Sequence, residues 1–400
     1  MTQTSTGTGT GTGTASGGGL EAEHSSPGAA WTVEEIAQQP ELWRDVARRS
    51  AQDEVSGFLA PLLSPPDLRV VLTGAGTSAF AGGVLAPALA RALGRRVDAL
   101  ATTDIVSNPH DAFAAGGPTL LVSFARSGDS PESVAATRLA DEVLQECHHL
   151  VITCDGGGRL AREHAGAPRS HVLLMPEAAN DRGFAMTSSY SCMVLAARLA
   201  LDPAAGPEDV ERLSTAAEHV LATAPQRTRQ LAARGLGRIV YLGSGPLTAL
   251  ARESALKLLE LTAGRVVTYF DSPLGFRHGP KSVLDDSTLV VVYVSNDPYT
   301  RRYDIDIVTE LRAVLPEDQV IAVVADPTDV AAAGGTTWLV PGLEAADDTW
   351  LALPYVLHAQ LLAVQVSVAM GLTPDNPFPS GEVNRVVRGV TIHPLPDAAP

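Results

Sequence analysis

The chain has 400 residues, of which 45% are hydrophobic and 18% are charged, and this composition suits two domains of ordinary size with buried cores. Its net charge of -16 argues against nucleic acid or an anionic membrane as a partner. The three cysteines, Cys147, Cys154 and Cys192, lack metal-ligand spacing and predict buried thiols in a reducing cytoplasm.

The first part of the chain divides into a tail and a helical segment. Residues 1–28 are dominated by Thr and Gly, which predicts a disordered tail, and they lack the basic start and apolar run of a secretory signal. Residues 29–66 contain two helical patterns. One is expected to begin at Thr32 as N-cap, with Glu35 three residues later, and the other to run from Pro40 to Leu63.

Short apolar runs alternate with helical patterns in residues 67–206 and again in residues 237–380, with a helical linker at 207–236 between them. This rhythm predicts two parallel sheets. The apolar stretch from Leu353 is interrupted by polar residues and predicts a buried helix rather than a membrane span. Residues 381–400 predict an extended tail that lies over the body of the protein. The expected strands are 69–73, 97–101, 118–123, 149–154 and 171–175 in the first unit, and 238–242, 265–269, 288–294, 319–324 and 337–340 in the second.

The two units have matching sequences at an offset of roughly 170 residues, which is too long for a solenoid repeat. RVVLTGAG from Arg69 matches RIVYLGSG from Arg238, and TLLVSFARSGDS from Thr119 matches TLVVVYVSNDPY from Thr288. The sequence therefore predicts an α/β fold of two tandem doubly wound, flavodoxin-like domains with parallel sheets and helices on both faces. Such a pair can hold a ligand with one copy and act on it with the other.

A small-residue loop from Gly74 to Ala79 follows the first strand and opens a helix. Glycine lets the backbone approach an anion, the helix N-terminus offers free N–H groups, and Thr77 and Ser78 add hydroxyls. Three interpretations are open for this loop alone: a phosphosugar site, a dinucleotide site with Asp98 or Asp104 as the ribose-binding acid, or a helix capped by Ser78.

A second hydroxyl-rich loop, SFARSGDSPES from Ser123, also follows an apolar strand and precedes a helix. Two Ser/Thr-rich turns at neighbouring strand ends favour a clamp for a phosphate monoester, because a dinucleotide pyrophosphate relies on a single glycine loop. The predicted phosphate ligands are Thr77, Ser78, Arg126, Ser127 and Ser130.

The second unit lacks such a clamp and carries Glu253, Lys257 and Glu260 on the helix after its own glycine loop. Spacings of four and three residues place the three side chains on one helical face. This pattern usually marks a solvated salt-bridge face, but the apolar residues between them predict a largely buried helix. His278 stands in the loop GFRHGPKS, which suits the presentation of a side chain, although most lone loop histidines have no catalytic role.

GAGTSAFAG and SFARSGDSPES resemble the two phosphate loops of the sugar isomerase (SIS) domain, and the tandem arrangement resembles the isomerase half of glucosamine-6-phosphate synthase. The stretches NDRGFAMTSSYSCMVLA, ESALKLLELTAGRVVTYFDSPLGFRHGPKS and PSGEVNRVVRGVTIHP are similar to the AgaS-type branch of that family. Members of this branch are tagatose-6-phosphate ketose/aldose isomerases or galactosamine-6-phosphate deaminase/isomerases. The resemblance covers about residues 40–395.

This resemblance implies that Glu260 is the base that moves a proton between C1 and C2, and that His278 helps open the sugar ring, either in its own subunit or, as is common in the family, in a neighbouring one. It implies helper roles for Glu253 and Lys257. Arg388 stands where the synthase has a lysine, and because arginine cannot act as an amine nucleophile, only substrate contact is expected of it. Thr187 in AMTSS is expected to touch sugar hydroxyls.

The physical chemistry agrees with these roles. A half-buried carboxylate can take a carbon-bound proton and return it one atom along, and a histidine can shuttle protons near neutral pH. A distant phosphate anchor supplies binding energy and register. No metal or other cofactor is expected, and the expected partner is a small sugar phosphate, bound by a homodimer or higher homo-oligomer with a shared site.

The predicted reaction is conversion of galactosamine 6-phosphate to tagatose 6-phosphate and ammonia. The alternatives in the same class are a plain tagatose- or fructose-6-phosphate isomerase and a glucosamine-6-phosphate deaminase. Those outside it are a non-catalytic sugar-phosphate-binding regulator and a nicotinamide-dependent dehydrogenase.

Overall fold

The computed structural model describes residue 20 and residues 26–114, 117–330, 333–387 and 389–396. Most of the predicted tail at 1–28, and Arg388 with its expected substrate contact, lie outside the described residues.

Within residues 29–66, where two helices are expected, the structure has three: α1 (Ala30–Ala37), α2 (Gln39–Ser50) and α3 (Val55–Leu63). Thr32 is not an N-cap, because α1 has already begun at Ala30. Its backbone N–H and its hydroxyl both donate to Asp375 Oδ1 at 2.8 Å, which fastens α1 to the end of the chain. The predicted capping pair is thus used for tertiary contacts.

The first sheet contains five parallel strands in the order β2-β1-β3-β4-β5, the arrangement of a flavodoxin-like unit. Each strand lies within about two residues of its predicted position. The elements are β1 (Arg69–Gly74), α4 (Thr77–Leu93), β2 (Val97–Ala101), α5 (Thr102–Ser107), α6 (Pro109–Ala112), β3 (Thr119–Ala125), α7 (Pro131–Val143), β4 (Cys147–Thr153), α8 (Arg159–His164), β5 (Ser170–Leu174) and α9 (Ser188–Leu201).

The second sheet has the same strand order, β7-β6-β8-β9-β10, and is also parallel throughout. A 26-residue helix, α10, joins the two units. The elements are α10 (Pro207–Ala232), β6 (Arg238–Gly243), α11 (Pro246–Leu261), β7 (Val267–Asp271), α12 (Pro273–Phe276), β8 (Thr288–Tyr293), α13 (Thr300–Arg312), β9 (Val320–Val324), β10 (Thr337–Leu339) and α14 (Asp348–Ala369).

Alternating residues of each central strand pack on opposite faces of their sheet. In β1, Val70 and Leu72 belong to a large core that also contains α4, α9 and residues of the second unit, whereas Val71 packs with Ala136 and Ala140 of α7. The second sheet is covered in the same way, with α13 on its outer face. Both units are therefore doubly wound, and one continuous apolar core joins them.

The apolar helix α14 is long enough to cross a membrane by length and composition, but 94% of its most apolar window is buried inside the protein. It packs against α10 and α11. Its N-cap, Asp347, accepts hydrogen bonds from the N–H groups of Thr349 and Trp350. The prediction of a buried core helix from Leu353 onward is confirmed.

Candidate active site

The first predicted anion loop turns sharply between β1 and α4 because glycine occupies two special positions. A Cβ at Gly74 would lie 2.5 Å from Ser78 Cβ, and Gly76 has φ 55 and ψ -125, which strongly favours glycine. Ser78 is buried and is not the helix cap, since α4 begins at Thr77. The loop therefore presents the N–H groups of the first turn of α4, together with buried hydroxyls.

The second loop lies beside the first, because β1 and β3 are neighbours in register, with Thr73 opposite Ser123. Its turn is closed by a hydrogen bond from the Asp129 N–H to Ser127 Oγ at 3.3 Å. Ser130 precedes α7 and donates to Glu132 Oε2 at 2.7 Å. Ser127 and Ser130 are thus held at the start of α7, next to the first loop.

Arg126 does not point a free guanidinium at this clamp. It is 7% exposed, and it donates to the backbone carbonyls of Phe184 at 3.1 Å, Arg385 at 3.0 Å and Gly183 at 3.4 Å. Burial, together with the charge of Arg385, lowers its pKa. Arg126 therefore bridges separate chain segments, and its role as a phosphate ligand stays a prediction.

Thr187 is also used differently from the sequence expectation. It is fully buried, and its hydroxyl donates to Asp181 Oδ1 at 3.0 Å. Asp181 also accepts from the backbone N–H groups of Thr187, Ser188 and Ser189, so it satisfies the start of α9. The hydroxyl proton of Thr187 is therefore already committed to Asp181, and its contact with sugar hydroxyls stays a prediction.

Three ionisable residues of α11 form a compact cluster. The Lys257 ammonium lies 2.6 Å from Glu260 Oε2 and 3.4 Å from Glu253 Oε1, and it donates to Thr77 Oγ1 at 3.0 Å. The side chains of Glu253 and Lys257 are 0% exposed, whereas that of Glu260 is 25% exposed. A solvated salt-bridge face is therefore excluded. Of the three, only Glu260 can meet a ligand directly.

The charges in this cluster depend on one another. Burial raises the pKa of Glu253 to about 7, with a further rise from Glu260 that Lys257 and Thr77 oppose. Burial alone would lower the pKa of Lys257, but the two neighbouring carboxylates raise it, so the ammonium stays charged. A permanent cation thus holds Oε2 of Glu260, and its hydrogen bond to Thr77 links the cluster to the first anion loop.

The two units meet at this cluster through matching helices. A Cβ at Gly83 of α4 would lie 2.9 Å from Ala249 Cβ of α11, so the helices cross closely. Because Thr77 contacts Lys257 while Gly83 contacts Ala249, the helices run antiparallel. The charge of Arg126 also acts on both Glu260 and Lys257. The anion loops of one unit and the carboxylate of the other therefore belong to one region.

The second unit retains the loop geometry but fills it with its own carboxylates. Gly245 has φ 54 and ψ -125, the same conformation as Gly76. Asp304 accepts from Ser244 Oγ at 2.5 Å and from the Ser295 N–H at 2.9 Å. Asp348 accepts from Ser295 Oγ at 2.6 Å and from the Asn296 N–H at 3.0 Å. The hydroxyls of Ser244 and Ser295 and the N–H groups of Ser295 and Asn296 are therefore already taken by carboxylates of the protein.

His278 lies in the turn after α12 and is exposed. Its loop is fastened to α13 because Glu310 accepts from Arg277 at 2.7 Å and pairs with Lys281. The ring-opening role of His278 from a neighbouring subunit stays a prediction.

The dinucleotide interpretation loses one of its two candidate ribose-binding acids, Asp98. Asp98 pairs with Arg69 at 2.6 Å and with Arg96 at 2.8 Å, so its carboxylate is already neutralised. Asp141, Cys147 and His149 bring possible metal ligands within 4.8 Å of one another at the start of β4. This group lies at the opposite sheet edge from the loops, and burial raises the pKa of the Cys147 thiol to about 12, which leaves it protonated.

The sequence analysis missed Asp181 and gave Glu35 only a local capping role. Glu35 accepts from the Arg182 and Gly183 N–H groups, the first at 2.5 Å. Burial and, to a lesser extent, the charge of Asp181 together raise the pKa of Glu35 to about 7. The sequence gives little indication that Asp181, in the stretch NDRGFAMTSS, caps a helix, because that helix begins seven positions later.

The doubly wound fold, the paired loops and the carboxylate cluster define a sugar isomerase (SIS) domain protein, and the model of the SIS domain matches residues 62–202. An AgaS relative from Streptomyces coelicolor is 61% identical over 92% of this chain and 97% of its own length. The D-galactosamine-6-phosphate deaminase AgaS of Escherichia coli is 46% identical over 93% of this chain and 99% of its own length.

A solved structure, tagatose-6-phosphate ketose/aldose isomerase from Escherichia coli, superimposes with a TM-score of 0.84 at 43% identity and covers 92% of this chain and 99% of its own. A glutamine–fructose-6-phosphate aminotransferase from Bradyrhizobium diazoefficiens is a more distant relative, 26% identical over 86% of this chain and 57% of its own length. The chain belongs to the SIS-domain family, in its AgaS-type branch. The predicted family and fold are confirmed.

Proposed function

We propose that this protein converts an amino-sugar 6-phosphate, galactosamine 6-phosphate, to the ketose 6-phosphate and ammonia. The observation that carries the proposal is the partly exposed carboxylate of Glu260, fixed by the buried Lys257 at 2.6 Å and linked through Thr77 to an anion loop. The names of the Escherichia coli and Streptomyces coelicolor relatives support the choice of an amino sugar.

The phosphate end of the substrate is held by the two loops of the first unit. The start of α4, together with the hydroxyls of Ser78 and Ser127, supplies donors for one phosphate monoester, and Ser130 joins them once its hydroxyl turns from Glu132 to the ligand. Because two glycine-shaped turns fix these donors, the anchor sets the position of the reacting carbons. The net charge of -16 means that these local donors, not the overall field, attract the anion.

The carboxylate of Glu260 works at the other end of the molecule. In the open-chain aldose it takes the proton from C2, the electron pair forms the C1–C2 double bond, and the same carboxylate returns the proton to C1. An amine proton moves to the C1 oxygen, which leaves an imine at C2. Water then hydrolyses this imine to the ketose and ammonia, so that every atom is accounted for.

Glu253 supports this chemistry from its buried position next to Lys257. Its burial keeps it near the point of half-protonation at neutral pH, with a pKa of about 7. It can therefore adjust its charge when the proton on Glu260 moves, while Lys257 remains a cation between them. We propose that His278 opens the sugar ring.

Plain isomerisation of tagatose 6-phosphate is the second candidate, because the solved relatives from Escherichia coli and Clostridium novyi bear that name at 43% and 41% identity. The same base serves both reactions. The pairing of Glu260 with Lys257 argues against a purely regulatory sugar-phosphate binder, which would not need a fixed base.

The test is ammonia release from galactosamine 6-phosphate and from glucosamine 6-phosphate by the wild type and by Glu260→Gln. We expect the substitution to reduce turnover by at least about 100-fold, the contribution of a positioned general base. Arg91→Gln is the matched control, since Arg91 is the exposed counterpart of Glu260 on α4. Unchanged turnover in Glu260→Gln would reject the base assignment. Ketose formation without ammonia would select plain isomerisation.

We propose further that the protein is a cytoplasmic homo-oligomer with a shared site. The support is the exposure of His278 together with that of Leu259, Val267 and Leu274 on α11, β7 and α12. Mixing inactive His278→Ala and Glu260→Gln subunits should restore part of the activity. A mixture that stays as inactive as its parents would reject sharing.

A further inference from the structure

The hydroxyl of Thr77 faces the second unit. Thr77 is the first residue of α4, and it is buried. Because an ammonium only donates hydrogen bonds, Thr77 Oγ1 accepts from Lys257, at 3.0 Å. Burial raises the pKa of Glu253, and the Thr77 hydroxyl lies close enough to oppose that rise. Two ionisable partners therefore engage a side chain that the sequence pattern predicts to be a phosphate ligand.

Lys257 passes this constraint on to the base. Its buried ammonium has three donors, and three acceptors lie around it: Glu260 Oε2 at 2.6 Å, Thr77 Oγ1 at 3.0 Å and Glu253 Oε1 at 3.4 Å. Thr77 is the one of these acceptors that belongs to the first unit. Without its hydroxyl, the ammonium would turn toward the two carboxylates of its own helix and change its position relative to Glu260.

The same residue is part of the turn that is proposed to receive the phosphate. Thr77 stands between Gly76, which has the glycine-favouring conformation of that turn, and Ser78, whose hydroxyl is a proposed phosphate ligand. A ligand that holds Ser78 also restrains its backbone neighbour Thr77. Through Thr77 it restrains the ammonium of Lys257, 3.0 Å away. The phosphate end and the base are thus joined by one side chain.

The second unit shows that the turn itself does not require a threonine. Gly245 has the same backbone conformation as Gly76, and the residue after it is Pro246, which has no hydroxyl. At the same offset between the units, the positions of α4 that match the cluster of α11 hold Val84, Ala88 and Arg91. The hydroxyl therefore stands in the turn that faces the cluster, which indicates that Thr77 serves the cluster and not the turn.

We propose that Thr77 is a positioning residue for the base. Its hydroxyl fixes the Lys257 ammonium, and through it Glu260, relative to the turn that receives the phosphate, instead of binding the phosphate itself. The inference deepens the proposed function and rests on it for Glu260 as the base and for a sugar phosphate as the ligand. The contact between Thr77 and Lys257 does not depend on that function. Loss of the hydroxyl leaves the phosphate anchor in place and slows proton transfer.

Two substitutions separate the hydroxyl of Thr77 from its shape. Valine has nearly the same shape but no hydroxyl, whereas serine keeps the hydroxyl and loses the methyl group. In the ammonia assay with galactosamine 6-phosphate, Thr77→Val should lower kcat at least about tenfold and change KM by less than about threefold, because a misplaced base slows the chemical step. Thr77→Ser should keep kcat within about threefold of the wild type, because the contact with Lys257 is retained.

Thr102→Val is the matched control. Thr102 begins α5 and is buried like Thr77, but its hydroxyl has no hydrogen-bond partner within the part of the chain that the structure describes. This variant should keep the kcat of the wild type. An equal loss of kcat in Thr102→Val would mean that removal of any buried hydroxyl suffices, and it would overturn the assignment. Thr77→Ala takes the place of Thr77→Val should the latter fold poorly.

Inorganic phosphate distinguishes a positioning residue from a phosphate ligand. Calorimetric titration should give dissociation constants for the wild type and Thr77→Val that agree within about twofold. Binding that is at least about tenfold weaker in Thr77→Val would make Thr77 a phosphate ligand and overturn the proposal. An equal loss of kcat in Thr77→Ser and Thr77→Val would assign the effect to packing of the methyl group, and it would also overturn the proposal.

The lysines provide a readout without substrate. The chain contains only two, Lys257 and Lys281, so isotopic labelling of the lysine side-chain nitrogen gives one NMR signal from the cluster and one from the surface pair with Glu310. Thr77→Val should shift the Lys257 signal and leave the Lys281 signal in place, whereas Thr77→Ser should leave both. An unmoved Lys257 signal in Thr77→Val would overturn the proposal. If the wild type turns over no sugar phosphate, the proposed function fails, but the lysine spectra still decide whether Thr77 holds the ammonium.

Discussion

Replacement of Lys257 by methionine removes the one cation from a cluster that holds two carboxylates. Its ammonium lies 3.4 Å from Glu253, and both side chains are 0% exposed. At an effective dielectric constant of about 20, that single attraction amounts to about 5 kcal/mol. The methionine avoids the several kcal/mol needed to desolvate an ammonium, yet it leaves a buried carboxylate without a partner, and we expect a net loss of about 3–5 kcal/mol in the free energy of unfolding.

The measurement is urea denaturation followed by circular dichroism for Lys257→Met and for the double variant Lys257→Met with Glu253→Gln. The double variant has no unpaired buried charge and should recover all but about 1–2 kcal/mol. Loss of Lys257 also raises the pKa of Glu253 beyond its present value of about 7, so the single variant should be weaker at pH 8.5 than at pH 6 relative to the wild type. Both variants should release ammonia far more slowly, since Glu260 loses its partner.

Two results would refute this reasoning. A loss below about 1 kcal/mol in Lys257→Met would mean that the carboxylates do not depend on the ammonium. A double variant that is no more stable than the single one would mean that the loss comes from packing and not from charge.

Three more predictions follow from the matched units and the buried acids. Gly76→Ala and Gly245→Ala should each lose about 1–3 kcal/mol of stability, because both positions have the same glycine-favouring φ and ψ, but only Gly76→Ala should weaken phosphate binding in a titration. Gly83→Val should separate α4 from α11, because a Cβ at this position would lie 2.9 Å from Ala249 Cβ. The expected cost is about 1–3 kcal/mol, seen as a lower thermal midpoint together with slower turnover. Glu35 has a pKa of about 7 in the folded protein and about 4.5 in the unfolded chain, so its contribution to the free energy of unfolding falls as the pH rises from 5 to 7. In Glu35→Gln this fall should be smaller by up to about 3 kcal/mol, as measured by unfolding at several pH values across this range.

The strand layout could be predicted from the sequence because it depends on local patterns. Buried parallel strands have continuous apolar runs, and glycine loops separate them from helices, so β1 and β6 are recognisable without a partner. The cluster of Glu253, Lys257 and Glu260 could be predicted for a similar reason, since helical spacing alone puts the three on one face.

The parts that could not be predicted depend on contacts between distant segments. Thr32 has the sequence of a helix cap, but its partner is Asp375, from the other end of the chain. Arg126 and Thr187 resemble ligands in a motif, yet backbone carbonyls and a buried aspartate already occupy them. A local sequence pattern shows which hydrogen-bond donors a residue has, but it does not show which acceptors the fold places next to them.

The aspartates that fill the second glycine loop have a consequence for stoichiometry. Asp304 and Asp348 act as built-in anions, so each chain should accept one phosphate although it contains two nearly identical turns. Burial raises the pKa of Asp304 to about 7, because desolvation disfavours its charged form. The double change Asp304→Ala with Asp348→Ala should uncover a latent receptor, and calorimetric titration with inorganic phosphate should then count two ions per chain. A duplicated binding loop can thus keep its backbone conformation while a pair of side chains prevents it from binding a ligand.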